Sequence, residues 1–163
     1  MANAIPAARA RKSRARTSIK TLPLVGAAVL CDQVLLEKDD TPTVVRITNK
    51  MIVQGLGIDP PEDMPEGLVE VTVFLVLRAG GAIGPHTIQL RLQHPDNRFG
   101  PRGFRLPIVF ATPAQEARIT IHARLRVRLP GHHWIDVLCD GARLTRIPLE
   151  VEYQRVVEPA EAS

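Results

Sequence analysis

The stretch Ala117–Tyr153 reads ARITIHARLRVRL, then Pro130-Gly131, then HHWIDVLC, then Asp140-Gly141, then ARLTRIPLEVEY. In its first run Ile119, Ile121, Ala123, Leu125, Val127 and Leu129 alternate with Arg118, Thr120, His122, Arg124, Arg126 and Arg128. A period of two sends alternate side chains to opposite faces of an extended chain, so this run predicts a strand with one dry and one wet face. Pro-Gly and Asp-Gly supply the backbone angles that tight reversals need. The expectation is three consecutive antiparallel strands, a β-meander.

Register can be argued from parity. A two-residue loop at Asp140-Gly141 would pair Val137 with Leu144 and Ile135 with Arg146. Beyond that point the apolar residues Ile147, Leu149, Val151 and Tyr153 have the opposite parity, so one residue is inserted. A bulge is expected between Arg146 and Pro148, because proline has no N–H for the ladder. Across Pro130-Gly131, facing Ile135 and Val137 toward Val127 and Leu125 needs an odd loop with a glycine bulge.

At 163 residues the chain suits one domain able to bury a sizeable core. The formal charge of +4 is unevenly distributed. Residues 1–20 hold Arg9, Arg11, Lys12, Arg14, Arg16 and Lys20 and no acid, giving +6, whereas the remainder carries −2. Residues 1–21 therefore read as a basic arm, too poor in apolar anchors to offset its ordering entropy and expected to be disordered alone. Those six cations are the candidate polyanion-binding residues. In a eukaryotic chain the same stretch would read as a mitochondrial presequence. The Ala, Arg, Pro and Val bias fits a GC-rich bacterial genome instead. No apolar run reaches the length of a membrane span, and no secretory signal precedes the domain, so a soluble cytoplasmic protein is expected.

The body, residues 22–155, reads as strands separated by turns, followed by a short acidic tail at 156–163. Leu22–Glu37 is an apolar run that should form a hairpin with Val44–Val53. Pro60, Pro61 and Pro65, among Asp59, Glu62, Asp63 and Glu66, mark an exposed loop. Gly67–Arg78 reads as a strand buried on both faces near its middle. Thr87–Gln93 alternates, and Phe104–Phe110 is a short strand that Pro107 assigns to an edge. Without helical periodicity, this pattern predicts an all-β fold, an antiparallel two-sheet sandwich of immunoglobulin-like type.

Leu30-Cys31-Asp32, Val44-Val45-Arg46-Ile47, the run from Gly84 to Leu92 and above all Pro130 to Val151 resemble a bacterial family of small all-β, immunoglobulin-like proteins of unknown function. Its marks are an acidic residue after the first strand, a Pro-Gly-x-aromatic hairpin, and Asp-Gly followed by an apolar-Pro-Leu-x-Val strand. The resemblance spans roughly residues 22–153 and implies fold more than function. Asp40-Thr41-Pro42 departs from the glycine-rich first hairpin usual in that family.

The candidate sites are modest. Arg124, Arg126 and Arg128, with Arg118 and His122, share one strand face at a spacing of about 6.6–6.8 Å, which roughly suits successive phosphates. This is a candidate secondary anionic face; the plainer reading is a solvated face paired with Glu70, Glu150 or Glu152. His86, His94, His122, His132 and His133 never fall at a ligand spacing with Cys31 and Cys139, and neighbouring His132 and His133 should point oppositely, so no metal or cofactor is expected. Both cysteines read as buried structural thiols, with a single bridge as the other arrangement. Trp134 reads as a core or rim anchor. No nucleophile elbow, phosphate loop or dinucleotide fingerprint is present. The expectation is a non-enzymatic module that binds a protein partner or its own copy. The alternative is a nucleic-acid-associated structural protein using the arm.

Overall fold

A computed structural model describes residues 21–101 and 103–157. The arm residues Arg9, Arg11, Lys12, Arg14, Arg16 and Lys20, and the tail from residue 158, lie outside the described residues. Among the described residues there are nine strands: β1 (Leu24–Leu36), β2 (Pro42–Ile47), β3 (Lys50–Gly57), β4 (Gly67–Arg78), β5 (Gly84–Gln93), β6 (Arg105–Phe110), β7 (Glu116–Val127), β8 (Gly131–Cys139) and β9 (Ala142–Val157). They form a four-stranded sheet in the order β2-β1-β4-β7 and a five-stranded sheet in the order β3-β9-β8-β5-β6. The fold is therefore all-β with two sheets, as expected.

Alternation decides which residues meet between the sheets. On β4, Val69, Val71, Val73, Leu75 and Leu77 are buried; on β5 Ile88, Leu90 and Leu92; on β8 Ile135 and Val137; on β9 Ile147, Leu149 and Val151. These belong to one apolar cluster fed by both sheets. Each fully buried aliphatic side chain contributes about 1.5–3 kcal/mol, so slipping one strand by a residue would forfeit several such terms at once. The middle of β4, Val71–Leu75, is buried on both faces, and β6 with Pro107 is an edge. Both agree with the sequence.

Three expectations are corrected. First, β7 and β8 do not pair: β7 closes the four-stranded sheet against β4, while β8 lies within the five-stranded sheet between β9 and β5. Pro130-Gly131 therefore carries the chain from one sheet to the other, with Gly131 at φ 112°. Of the expected meander, only the β8–β9 hairpin forms. Second, Val44–Val53 is not one strand. β2 pairs antiparallel with β1 as far as Ile47, then Thr48-Asn49 moves the chain across. Third, β3 pairs with β9 in parallel, from Lys50 opposite Glu150 to Gly57 opposite Val157, so the sheets are not purely antiparallel.

The β8–β9 hairpin turns on Asp140 and Gly141, both at positive φ (50° and 86°), the backbone of a two-residue reversal. The inserted residue exists but sits nearer the turn than expected. Leu138 faces Arg143 and Val137 faces Thr145, which leaves Leu144 as the extra residue. Leu144 still packs against the core, so its apolar character hid the bulge. Pro148 lies in regular register opposite Trp134. Elsewhere, Tyr153 donates its hydroxyl to the Pro61 carbonyl at 2.7 Å and fastens the proline-rich loop; a side chain on Gly55 would collide with that ring.

Candidate anion-binding face

The outward parity of β5, β8 and β9 assembles three rows on the outer face of the five-stranded sheet. Phe99 bridges to Gln93, which faces Trp134, which faces Pro148. The next row is Arg91, Asp136 and Arg146. The third is Arg105, Gln89, Leu138 and Arg143. Successive rows are about 6.8 Å apart and neighbouring strands about 4.8 Å.

Asp136 is the centre. Its residue is 0 % exposed although it stands on the outer face, because arginines cover it. Arg91 Nη2 donates to Oδ2 at 3.1 Å; Arg146 donates to Oδ1 through Nε at 3.2 Å and Nη2 at 3.1 Å; Arg143 Nη1 lies 3.9 Å from Oδ1. Arg146 Nη2 also donates to Gln93 Oε1 at 2.9 Å. A carboxylate taken out of water costs several kcal/mol unless paired and hydrogen-bonded, and this one is both. The charge is lopsided: these three rows hold four arginines and one carboxylate, so they are net positive.

Two aromatic rings flank the charge. The Arg91 guanidinium carbon lies 3.8 Å from the Phe99 ring centroid and that of Arg146 lies 5.2 Å from Trp134. Delocalised guanidinium planes stack on such rings. Phe99 and Trp134 nevertheless keep 47 % and 36 % of their surface exposed. Trp134, expected as a core or rim anchor, thus stands on the outer face. This constellation was missed in the sequence. Its signal was there in the outward positions of Arg91, Arg143 and Arg146, but three registers were needed to bring them together.

The arginines singled out from sequence lie on or just beyond β7. Arg124 Nε bonds Glu70 at 2.8 Å, Arg126 Nη1 bonds Glu66 at 2.5 Å and Arg118 Nε bonds Glu116 at 2.9 Å. Arg128 lines a small hollow of about 200 Å³ with Arg126, His94, Glu66 and Phe99. The expected cross-strand partner Glu70 is present; Glu150 and Glu152 instead meet His132 and Lys50. Each of the three paired β7 arginines is thus matched by an acid.

Three other groupings complete the inventory. On the outer face of the four-stranded sheet, Cys31, Thr72 and His122 form a row, with Thr72 Oγ1 3.1 Å from His122 Nδ1, and line a groove of about 580 Å³. Cys31 is free and buried, and burial pushes its thiol above the usual range, the opposite of activation. Cys139 is also buried. Beside it His86 Nδ1 lies 2.7 Å from Asp140 Oδ2 and Nε2 lies 3.2 Å from the Ala82 carbonyl, while Thr87 N–H donates to Asp140 Oδ1 at 2.9 Å. His86, Cys139 and Asp140 are the residues that could hold a metal among those described. The hydrogen bonds they make fasten the hairpin turn to β5. Finally, His133 points inward and His132 outward, as parity requires, and His133 meets buried His94 edge to face at 5.4 Å between ring centroids. Burial is the main cause holding both imidazoles below the ordinary histidine range.

No protein-family model and no curated protein matches this chain. Among solved structures it is similar to the Pseudomonas fluorescens alkylpurine DNA glycosylase AlkC bound to DNA containing an abasic site analog. The TM-score is 0.29 with 13% identity, over 62% of this chain and 27% of that one. A likeness at that level carries no conclusion about fold or function. No helix among the described residues is long and apolar enough to cross a membrane.

Proposed function

We propose that this chain is a non-enzymatic binding module, an immunoglobulin-like sandwich, whose working surface is the outer face of the five-stranded sheet and whose partner there is polyanionic. The observation that carries this reading is the row Arg91-Asp136-Arg146. A fully buried carboxylate pre-orients two arginines on an open sheet face, and Arg143 and Arg105 add charge it does not cancel. Fixed guanidinium groups lose less freedom on meeting an anion than mobile lysines do, which favours binding. The arm cations, Arg9 to Lys20, would add charge to the same partner.

The single tryptophan lies on this face, so its emission reports occupancy there and not on the arm. Titration of the full chain with inorganic polyphosphate should change Trp134 fluorescence. In the double variant Arg105→Gln, Arg143→Gln the apparent affinity should drop several-fold, with Asp136 still held by Arg91 and Arg146. Equal affinity in both proteins would sink the reading.

A second reading, self-association, is favoured by β2. Of the four edge strands among the described residues, β6 carries Pro107, β7 a run of charges and β3 Lys50. On β2 and its neighbour β1, Leu36, Val45 and Ile47 are 73 %, 37 % and 66 % exposed. Such an edge invites another strand, and two copies of β2 related by a two-fold axis would pair antiparallel. Light scattering decides it: a dimer that Val45→Lys converts to monomer supports the pairing, whereas a wild-type monomer at high concentration excludes it.

A further inference from the structure

We propose that the polyanion recognised by the arginine face is single-stranded nucleic acid, an inference that rests on the anion-binding reading above and adds the chemistry of the ligand. The additional observation is the aromatic row. Phe99 and Trp134 stand on the same face as the arginines, separated by the width of β5, so their backbones lie two strand spacings apart, about 10 Å. One step of about 6.8 Å along β8 leads from this row to Arg91 and Arg146, and a second step to Arg105 and Arg143.

Planar rings beside guanidinium groups form a mixed surface on which a base stacks while its phosphate is neutralised. Acidic peptides and inorganic polyphosphate offer charge but no planes, and would leave Phe99 and Trp134 unused. A duplex offers phosphates but keeps its base faces inside the stack, beyond reach of rings standing on a sheet. Single strands expose both. Arg91 and Arg146 stack against the two rings and so hold them in place before any ligand arrives, while 47 % and 36 % of the aromatic surface stays open. Readout by stacking and charge distinguishes bases weakly, so the face is a reader of single-strandedness and not of sequence.

The experiment compares three ligands on the full-length chain: oligothymidylate, a base-free deoxyribose phosphate strand of the same length, and polyglutamate. Oligothymidylate should quench Trp134 fluorescence and bind on the order of tenfold more tightly than the base-free strand. Trp134→Leu, followed by anisotropy of labelled strands, should abolish that preference without weakening base-free binding. Phe99→Leu, which keeps Trp134 as reporter, provides the same test should the first variant fold poorly. For oligothymidylate, Arg105→Gln with Arg143→Gln should reduce the slope of log affinity against log salt by about 1.4, at roughly 0.7 counterions per lost contact. Equal affinity for the base-free strand, or equally effective displacement by polyglutamate, overturns the nucleic-acid inference while leaving the anionic face standing. Insensitivity of every ligand to the double arginine variant overturns both.

Discussion

Asp136 combines stability and charge in one side chain, and a conservative change separates them. In Asp136→Asn the arginines beside it lose their counter-charge, and breaking a buried pair from one side costs about 3–5 kcal/mol. Here the cost should fall toward the lower end, because the side chains of Arg91 and Arg146 keep 36 % and 33 % of their surface in water. The same change makes the face more positive. The expected outcome is a lower denaturation midpoint with tighter polyphosphate binding, and a loss of both would show that Asp136 acts only by holding the arginines in place. A second residue-scale prediction concerns His94 and His133. Their folded-state values lie below the unfolded value of about 6.5, so the unfolded chain takes up protons first as the pH drops. Their contribution is fully present above about pH 6.5 and is lost as the pH falls toward the folded-state values. Arg128, Asp96 and Glu66 act on His94; Glu150, Asp96 and the Gly131 carbonyl act on His133. Urea midpoints at pH 7.5 and 5.5 should show the drop, and His94→Gln should make it smaller.

At the scale of elements, Gly141 is the point on which β8 and β9 reverse. Its φ of 86° disfavours a β-branched residue, and a Cβ placed there would meet no neighbouring atom, so the cost of Gly141→Val is mainly backbone strain. About 1–3 kcal/mol is expected, and Gly141→Asn, which tolerates positive φ, should recover most of it. If the two variants melt alike, strain is not the cause. This hairpin was legible in the sequence because Asp-Gly specifies both a turn and its hand. Pro130-Gly131 was not, since a turn signal does not say whether the chain returns within its sheet or crosses to the other. The break at Thr48-Asn49 was masked by unbroken parity, Val45 and Ile47 before it and Met51 and Val53 after it. The arginine face escaped for a related reason: alternation told which residues point outward on each strand, while only the pairing of β5, β8 and β9 places Arg91 and Arg146 on either side of Asp136.

For the whole molecule, charge is divided between a segment of +6 at residues 1–20 and a body of −2. A body with that sign still carries a positive face because many of its acids lie elsewhere, including Glu66, Glu70 and Glu116 against the β7 arginines, while Glu150 and Glu152, on the outer side of the same sheet, meet His132 and Lys50. Deleting residues 1–20 should therefore weaken binding to single strands without abolishing it. What remains should show a salt slope of at most about −3, the share of four arginine contacts, and about half of that in Arg105→Gln, Arg143→Gln. Complete loss on deletion alone would assign all binding to the arm.

The parallel seam of β3 against β9 also bears on how the molecule comes into being. Lys50 meets Glu150, so β3 finds its neighbour only after the long stretch of chain between them has been translated. Until then β3 and β8 both present open edges, while the four-stranded sheet, complete once β7 has emerged, and the β6-β5-β8 part of the other sheet can form earlier. Contacts this distant in sequence are closed slowly, and open edges left waiting are where chains join one another. Ribosomes halted before Ala142 should thus carry a half-built protein with one sheet complete and the arginine face reduced to Arg91 and Arg105, since β9, which supplies Arg143 and Arg146, would still be missing.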